Sequence, residues 1–314
     1  MQLRPLSLGE LLDRAVTLCV RHVWVLALIF LVFIVPLSIL QTYAIPDQTK
    51  AWTSLIEMAR SGGSEAALQQ AAVLSRASSA TGATAIWFLV AFFFSPLPYA
   101  ALILATSQAY LTGTTSFAAA YRGALRVWPR LLGLTFLYTV ALVIVGIAAA
   151  IVGAVVIVIV VLLGRAAVAL GIIAGIVLGG AYIVGMIVLG LVGLIAVYLS
   201  YYTCTLEGAP VWTSLTSGVQ LAFGRGNFPR SLGAGLAFTA INFGISLVSV
   251  LGAGMLFGLV HSAYAGQTFS VLVSLPATAF LISFVTLYYY DLRVRNEGFD
   301  LRIEIGAPMP VADA

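Results

Sequence analysis

The sequence is poor in charged residues. Only 8% of its 314 residues are Asp, Glu, Lys or Arg, against about 25% in an ordinary soluble domain. Apolar residues make up 61% of the chain, and its mean hydropathy is +1.09. Because so little polar surface is available to face water, this composition excludes a soluble globular domain.

Histidine and cysteine are also scarce. The chain has two of each, His22 and His261, and Cys19 and Cys204. Their positions match no metal-site spacing, and no phosphate-binding loop or dinucleotide motif is present. We therefore predict no catalytic residue, no cofactor-binding residue, no cofactor and no metal site. We interpret the two cysteines as small apolar residues near the cytoplasmic ends of helices, where a disulfide is not expected.

Long runs without charge dominate what remains. Six stretches contain no Asp, Glu, Lys or Arg: residues 23–44, 83–111, 131–164, 166–206, 231–260 and 269–290. A membrane span needs roughly 20 such residues. In hydrocarbon the backbone must satisfy its own hydrogen bonds, and continuous apolar runs select helices over barrel strands. The sequence predicts an all-α, polytopic membrane helical bundle with six transmembrane helices.

The basic residues predict how the spans are oriented. With six spans, eleven of the fifteen Lys and Arg residues fall on the side of the termini. The positive-inside rule then places the N- and C-termini in the cytoplasm. Three spans within residues 131–206 would reverse this bias, and an additional re-entrant break there stays open. The net charge of +4 indicates topology and contact with the lipid bilayer, not nucleic acid.

A repeated motif supports an even number of spans in the middle of the chain. The pattern aromatic-Pro-Arg-x-Leu-Gly occurs at 128–133 and 228–233, and a looser copy precedes the first span. We predict a single transmembrane domain over residues 1–302, built from three repeats of an interfacial helix plus a transmembrane hairpin. The units are about 1–111, 112–205 and 206–292, with an extracytoplasmic loop at 45–82 and a disordered cytoplasmic tail at 303–314.

The interfacial helices have local signatures. Ser7 and Glu10 form a capping box, and an apolar stripe of helical spacing follows it. Arg122, Arg126 and Arg130 are four apart and share a helix face, unless Pro129 ends that helix first. Ordinary anchoring at the membrane boundary is the favoured interpretation of these arginines, and recognition of anionic lipid headgroups is the alternative.

Small residues and prolines recur inside the spans. Gly171, Gly175 and Gly179 are spaced by four, as are Gly254 and Gly258, which favours close helix packing over a glycine-lined substrate groove. The other feature is the sequence Ser-Pro-Leu-Pro at 95–98, which predicts a break or bend in span two.

Glu207 is the acidic residue at the cytoplasmic end of span four. We expect it to form an ion pair between repeats. The candidate partners are Arg122, Arg126 and Arg225.

Both ends of the chain resemble a known family. The carrying segments are 4–14 (Arg-Pro-Leu-Ser-Leu-Gly-Glu-Leu-Leu-Asp-Arg), 290–295 (Tyr-Asp-Leu-Arg-Val-Arg) and 297–301 (Glu-Gly-Phe-Asp-Leu), together with Leu-Glu-Gly at 206–208. They resemble a family of bacterial integral membrane proteins that is named after the glycerophosphoryl diester phosphodiesterase membrane domain. In those phosphodiesterases a separate soluble barrel carries catalysis, and we expect no such barrel after Arg302. The resemblance implies a multi-pass protein of the bacterial cytoplasmic (inner) membrane.

These observations lead to two functional hypotheses. The first is a non-enzymatic membrane protein that assembles with, or anchors, other components of the bacterial envelope, with membrane proteins as partners. The second is a transporter or flippase for a lipid or amphipathic molecule, which would use polar residues such as Gln108 and Asn242. The absence of charge within the runs favours the first, because ion-coupled transport usually needs intramembrane charge.

Overall fold

The structure is a computed structural model that describes residues 7–44, 82–224, 226–260 and 263–297. These residues form helices joined by short turns, with no β-strand among them. In chain order the helices are α1 (Leu8–Arg21), α2 (Val23–Ala44), α3 (Gly82–Phe94), α4 (Pro96–Thr112), α5 (Phe117–Ala166), α6 (Val168–Ala174), α7 (Gly180–Tyr202), α8 (Val211–Phe223), α9 (Phe228–Val260) and α10 (Ala263–Glu297). Two π-helical segments, Gly175–Gly179 and Thr203–Glu207, flank α7. The all-α prediction is confirmed.

Among the described residues, six helical stretches are long and apolar enough to cross a membrane, judged by length and composition. They are Val23–Gln41, Ala85–Thr112, Phe117–Ala166, Val168–Glu207, Phe228–Val260 and Ala265–Asn296. Their number and order agree with the six charge-free runs. This is therefore a multi-pass membrane protein.

The chain packs into two compact units. The hairpin unit consists of the described residues of Met1–Leu11, Val127–Thr239 and Val285–Ala314, and the second unit of those of Leu12–Arg126 and Ala240–Phe284. A single transmembrane domain over 1–302 stays a prediction. So do the loop at 45–82 and the tail at 303–314, which lie outside the described residues except for Gly82, the first residue of α3.

The first interfacial helix begins as its sequence predicts. The backbone N–H of Ser7 donates to Glu10 Oε2 at 2.9 Å, and the N–H of Glu10 donates to Ser7 Oγ at 3.2 Å. Both arms of the capping box are thus formed, and each satisfies an amide that has no partner inside the helix. Leu11, Ala15 and Cys19 are buried along one stripe of α1, as the spacing predicts.

The second span is divided at Ser95. This residue keeps helical dihedral angles (φ −57°, ψ −33°), and its N–H donates to the Ala91 carbonyl at 2.8 Å. Pro96 and Pro98 then supply no N–H, so two helical hydrogen bonds are missing at this point. The break predicted from the prolines is confirmed.

The middle of the chain is one long hairpin. The 50-residue helix α5 ends at Ala166, Ala167 is extended (φ −158°, ψ 131°), and the chain returns through a 40-residue helical arm, Val168–Glu207. Two π-helical segments interrupt that arm without ending it. The region 131–206 therefore forms two long helical arms. The single turn at Ala167 separates them, and the region has no additional re-entrant break.

Pro129 does not end the helix in which it lies. It is inside α5, so the second repeat unit lacks the separate interfacial helix that the sequence predicts. The expected separate helix is absent because a single proline removes only one hydrogen bond. It can kink a helix without ending it when the residues on both sides stay helical. Arg122, Arg126 and Arg130 are all exposed on this helix at intervals of four.

Gly113 and Gly208, which lie upstream of the two motif copies, share a local backbone conformation. Gly113, after α4, has φ +74°, and Gly208, after the π-helical segment that follows α7, has φ +67°. Both take the left-handed C-cap conformation that favours glycine. The likeness is local, and the threefold repeat stays a prediction.

Candidate functional site

Six charged side chains lie at the ends of four charge-free runs in the hairpin unit, and we call them the ion cluster. They are Arg130, Glu207, Arg230, Asp291, Arg293 and Arg295. Arg130 and Arg230 each directly precede a charge-free run, whereas Glu207 and Asp291 each directly follow one. The ion cluster therefore lies at the depth where four apolar spans end.

Asp291 is the buried centre of one half of the cluster. Its side chain is 0% exposed, and its Oδ2 lies 2.6 Å from Arg230 Nη2. Arg295, one turn further along α10, donates from Nε to the same carboxylate at 3.1 and 3.3 Å. Two guanidinium groups thus enclose a carboxylate that has no contact with solvent, which is the condition under which a buried charge is tolerated.

Glu207 is the centre of the other half. Its Oε1 accepts hydrogen bonds from the Tyr289 hydroxyl and from Arg293 Nη2. The Arg293 guanidinium also lies 5.5 Å from the centre of the Tyr289 ring. The predicted pairing of Glu207 was therefore wrong: its partner is Arg293, from the last helix.

The expected partners are placed differently. Arg122 and Arg126 belong to the second unit, and Arg225 lies outside the described residues. The sequence identified Glu207 as an ion-pairing residue, but Arg293 was not among its candidate partners.

The last turns of α10 carry two pairs of side chains, and each pair contacts a different neighbouring helical segment. Tyr289 and Arg293 are four apart and contact Glu207, after α7. Asp291 and Arg295 are also four apart, and Asp291 reaches Arg230 at the start of α9. Because residues four apart share a helix face while residues two apart do not, the two pairs bind two different helices.

A layer of hydroxyl contacts lies beside the ion pairs. The Tyr202 hydroxyl is 2.9 Å from Thr286 Oγ1, and the Tyr288 hydroxyl is 2.9 Å from Ser231 Oγ. All four residues are buried. These bonds satisfy polar groups inside the unit and connect α7 and α9 to α10 at the same level as the ion cluster.

Arg130 differs from the other arginines of the cluster in its partner. Its Nη1 donates to the carbonyl of Gly208, the residue after Glu207. That acceptor is neutral, and among the described residues no carboxylate pairs with Arg130. The sequence motif includes Arg130 but does not reveal this contact.

The hairpin itself is held together along its length. The Tyr182 hydroxyl donates to the Ala149 carbonyl at 3.0 Å, and a Cβ added at Gly171 would lie 2.6 Å from the Cα of Gly164. Nearer the ion cluster, the Tyr138 hydroxyl is 2.6 Å from Ser200 Oγ. The two arms therefore stay paired from the ion cluster to the turn.

The outward surface of the hairpin is apolar and exposed. Leu142 is 74% exposed and Ile176 is 71% exposed, and both arms carry many further exposed Val, Ile and Leu side chains. An added Cβ would meet nothing at Gly146, Gly180 or Gly185. The hairpin thus offers a long apolar surface with open positions at several glycines.

The predicted glycine packing is confirmed only in part. Gly171 allows close backbone approach, and Gly175 makes an ordinary contact with the Val160 side chain, whereas Gly179 and Gly258 face open space. Another close approach was missed: a Cβ at Gly218 would lie 2.6 Å from the backbone nitrogen of Ser200. Spacing alone could not reveal it, because Gly218 is not part of a regular series.

The remaining polar residues of interest are dispersed. Gln108 is half-buried on α4, and Asn242 is exposed on α9, where it accepts a bond from Ser246 at 3.4 Å. Cys19 and Cys204 are free and buried. Over the residues that the structure describes, no group of three or more His, Cys, Asp or Glu is arranged to hold a metal ion.

Comparison with known proteins gives no further assignment. No protein-family model, no curated protein and no solved structure matches this chain.

Proposed function

We propose that this chain is a non-enzymatic integral membrane protein that assembles with, or anchors, other membrane proteins of the bacterial envelope. The observation that carries the proposal is the hairpin, whose charge-free runs are longer than the hydrocarbon core of a bilayer is thick. The ion cluster serves the same role by fixing the helix ends from which the hairpin extends.

The excess length follows from simple geometry. The charge-free run 131–164 of the first arm is about 51 Å long at 1.5 Å per residue, whereas the hydrocarbon core is about 30 Å thick. Helices tilt by up to about 40°, and at that angle the run still covers about 39 Å along the membrane normal. Part of the apolar surface near Ala167 then needs protein to cover it.

The side chains of the ion cluster support a structural role over a chemical one. Both carboxylates already accept bonds from arginines, and one of them is fully enclosed. A general acid or base must reach a substrate proton, and a carboxylate held in this way cannot do so without losing its partners. The proposal therefore assigns no reaction to this chain.

Affinity purification in mild detergent tests the proposal. The wild-type chain is compared with the variants Gly180→Leu and Ile176→Asn, which change the exposed surface of the returning arm of the hairpin. Gly258→Leu, at an open exposed position of α9, is the matched control. We expect one stoichiometric membrane protein to co-purify with the wild type and the control, and to be lost from at least one hairpin variant. Absence of any stoichiometric protein partner would contradict the proposal.

A second candidate function rests on the divided second span. Interrupted helices line binding sites in several transporter folds, and the break at Ser95 is of this kind. Transport of a lipid or amphipathic molecule predicts that reconstituted protein accelerates the flipping of a fluorescent phospholipid, and that Pro96→Ala slows it. Equal rates in protein-free vesicles would exclude this candidate for phospholipids.

We propose the bacterial cytoplasmic membrane as the location, with both termini in the cytoplasm, on the basis of the arginine distribution. Single cysteines at Ala167 and Ser116, both exposed, test this orientation in intact cells. An impermeant thiol reagent should label Ala167→Cys and leave Ser116→Cys unlabelled. The reverse result would invert the topology.

A further inference from the structure

The ion cluster has an excess of positive charge that its carboxylates do not balance. It holds four guanidinium groups and two carboxylates, which leaves a net charge of +2. One of the two carboxylates is fully buried: the Asp291 side chain is 0% exposed, whereas the side chains of Arg230 and Arg295 are 20% and 35% exposed. The side chains of the other pair, Glu207 and Arg293, are similarly exposed, at 17% and 13%. A molecule approaching this end of the unit therefore meets positive charge.

The position of the cluster selects the chemistry of such a molecule. The cluster lies where four charge-free runs end, which is the depth of lipid phosphates in a bilayer. Guanidinium groups bind phosphate oxygens through paired N–H donors, and basic residues at this depth attract anionic lipids.

Arg130 is the residue best suited to make this contact. It is exposed, and its hydrogen bond to the Gly208 carbonyl uses one of its five N–H donors and leaves its charge without a carboxylate among the described residues. The bond also holds its side chain against the backbone at Gly208. A positioned guanidinium loses less conformational entropy when it binds a ligand.

We propose that the ion cluster binds a phosphate group at Arg130, as carried by an anionic phospholipid headgroup. The +2 charge of the cluster attracts the phosphate, and the guanidinium of Arg130 binds it. This inference goes beyond the assembly proposal and does not depend on it, because it concerns the ion cluster and not the hairpin surface.

Native mass spectrometry of the full chain, released from nanodiscs that contain equal amounts of phosphatidylglycerol and phosphatidylcholine, tests this site. The variants are Arg130→Gln, which removes the charge, and Arg130→Lys, which keeps it. The control is Arg165→Gln, which removes the same charge from the exposed arginine beside the hairpin turn. A parallel titration with inorganic phosphate distinguishes a soluble anion from a lipid.

We expect phosphatidylglycerol to be retained preferentially by the wild type and by Arg165→Gln. Retention should fall about fivefold in Arg130→Gln and stay close to wild type in Arg130→Lys. Equal retention of the two lipids by the wild type would overturn the proposal without any variant. An equal loss in Arg130→Gln and Arg165→Gln would also overturn it, since only net charge would then matter. Saturable binding of inorganic phosphate that Arg130→Gln abolishes would support the same site with a soluble source.

Discussion

Arg230 Nη2 lies 2.6 Å from Oδ2 of Asp291, a carboxylate whose side chain is completely buried. The two residues are 61 positions apart in sequence, and each occupies the first or last turns of a long apolar helix. This ion pair joins the start of α9 to the end of α10. Its geometry predicts how substitutions at Asp291 and Arg295 differ in their effect on stability.

Replacing Asp291 with Asn should destabilise the protein more than replacing Arg295, one of its two arginine partners, with Gln. The Asn side chain leaves Arg230 beside a neutral group in a buried site, which costs about 3 kcal/mol for a broken buried pair. Arg295→Gln should cost about 0.5 kcal/mol, because that arginine is partly exposed and is a neighbour on the same helix. Thermal unfolding in detergent measures both. A melting temperature for Asp291→Asn equal to that of Arg295→Gln would show that burial of the carboxylate is unimportant.

Glu207 and Arg293 should be energetically coupled. A double-mutant cycle with Glu207→Gln and Arg293→Gln should give a coupling of about 1 kcal/mol or more, since both side chains are mostly buried and share Tyr289. The same cycle between Glu207 and Arg165, at the far end of the hairpin, should be additive within about 0.5 kcal/mol. The structure would be contradicted if the two cycles gave the same coupling.

Gly171 and Gly179 belong to the same series of glycines spaced by four, but they should respond differently to replacement by alanine. Gly171→Ala places a Cβ 2.6 Å from the Gly164 backbone and should lower stability by about 2 kcal/mol as the arms of the hairpin separate. Gly179→Ala meets open space and should leave the melting temperature unchanged or slightly raised. Equal destabilisation by the two substitutions would mean that the arms do not pair as described.

The thiol of Cys19 should react slowly. Burial raises the pKa of this thiol above its ordinary value, so less of the reactive thiolate exists at neutral pH than for an exposed cysteine. Maleimide should therefore label Cys19 more slowly than it labels the new cysteine of a Val20→Cys variant in a Cys19→Ala background. The labelling rate of Cys19 should also rise at a higher pH than the rate for that exposed cysteine. Fast labelling of native Cys19 at pH 7 would argue against its burial beneath Pro276, whose carbonyl lies 3.9 Å away.

The sequence alone predicts those features that follow from local rules or from the demands of lipid. The six spans follow from runs without charge, because a bilayer tolerates no other backbone arrangement for such segments. The contact between Ser7 and Glu10 follows from their separation of three residues, and the break at Ser95 follows from proline chemistry. Each of these features needs no knowledge of which helices are neighbours.

The partners within the ion cluster could not be predicted in the same way. Topology placed Glu207 and several arginines at one membrane face, but the choice among those arginines depends on which helix ends are adjacent in space. Arg293 reaches Glu207 because α10 packs beside α7, and no local pattern encodes that contact. The glycines give the same lesson, since Gly171 and Gly179 differ only in what lies opposite them.

Photocrosslinking from the hairpin in living cells tests the assembly proposal most directly. A photoreactive amino acid replaces Ile176, exposed near the turn, and in a matched control it replaces Phe243, exposed on α9. The proposal predicts one discrete protein adduct from position 176 that is absent from position 243. Lipid adducts alone at both positions would contradict it, because the hairpin would then be covered by the bilayer and not by a partner.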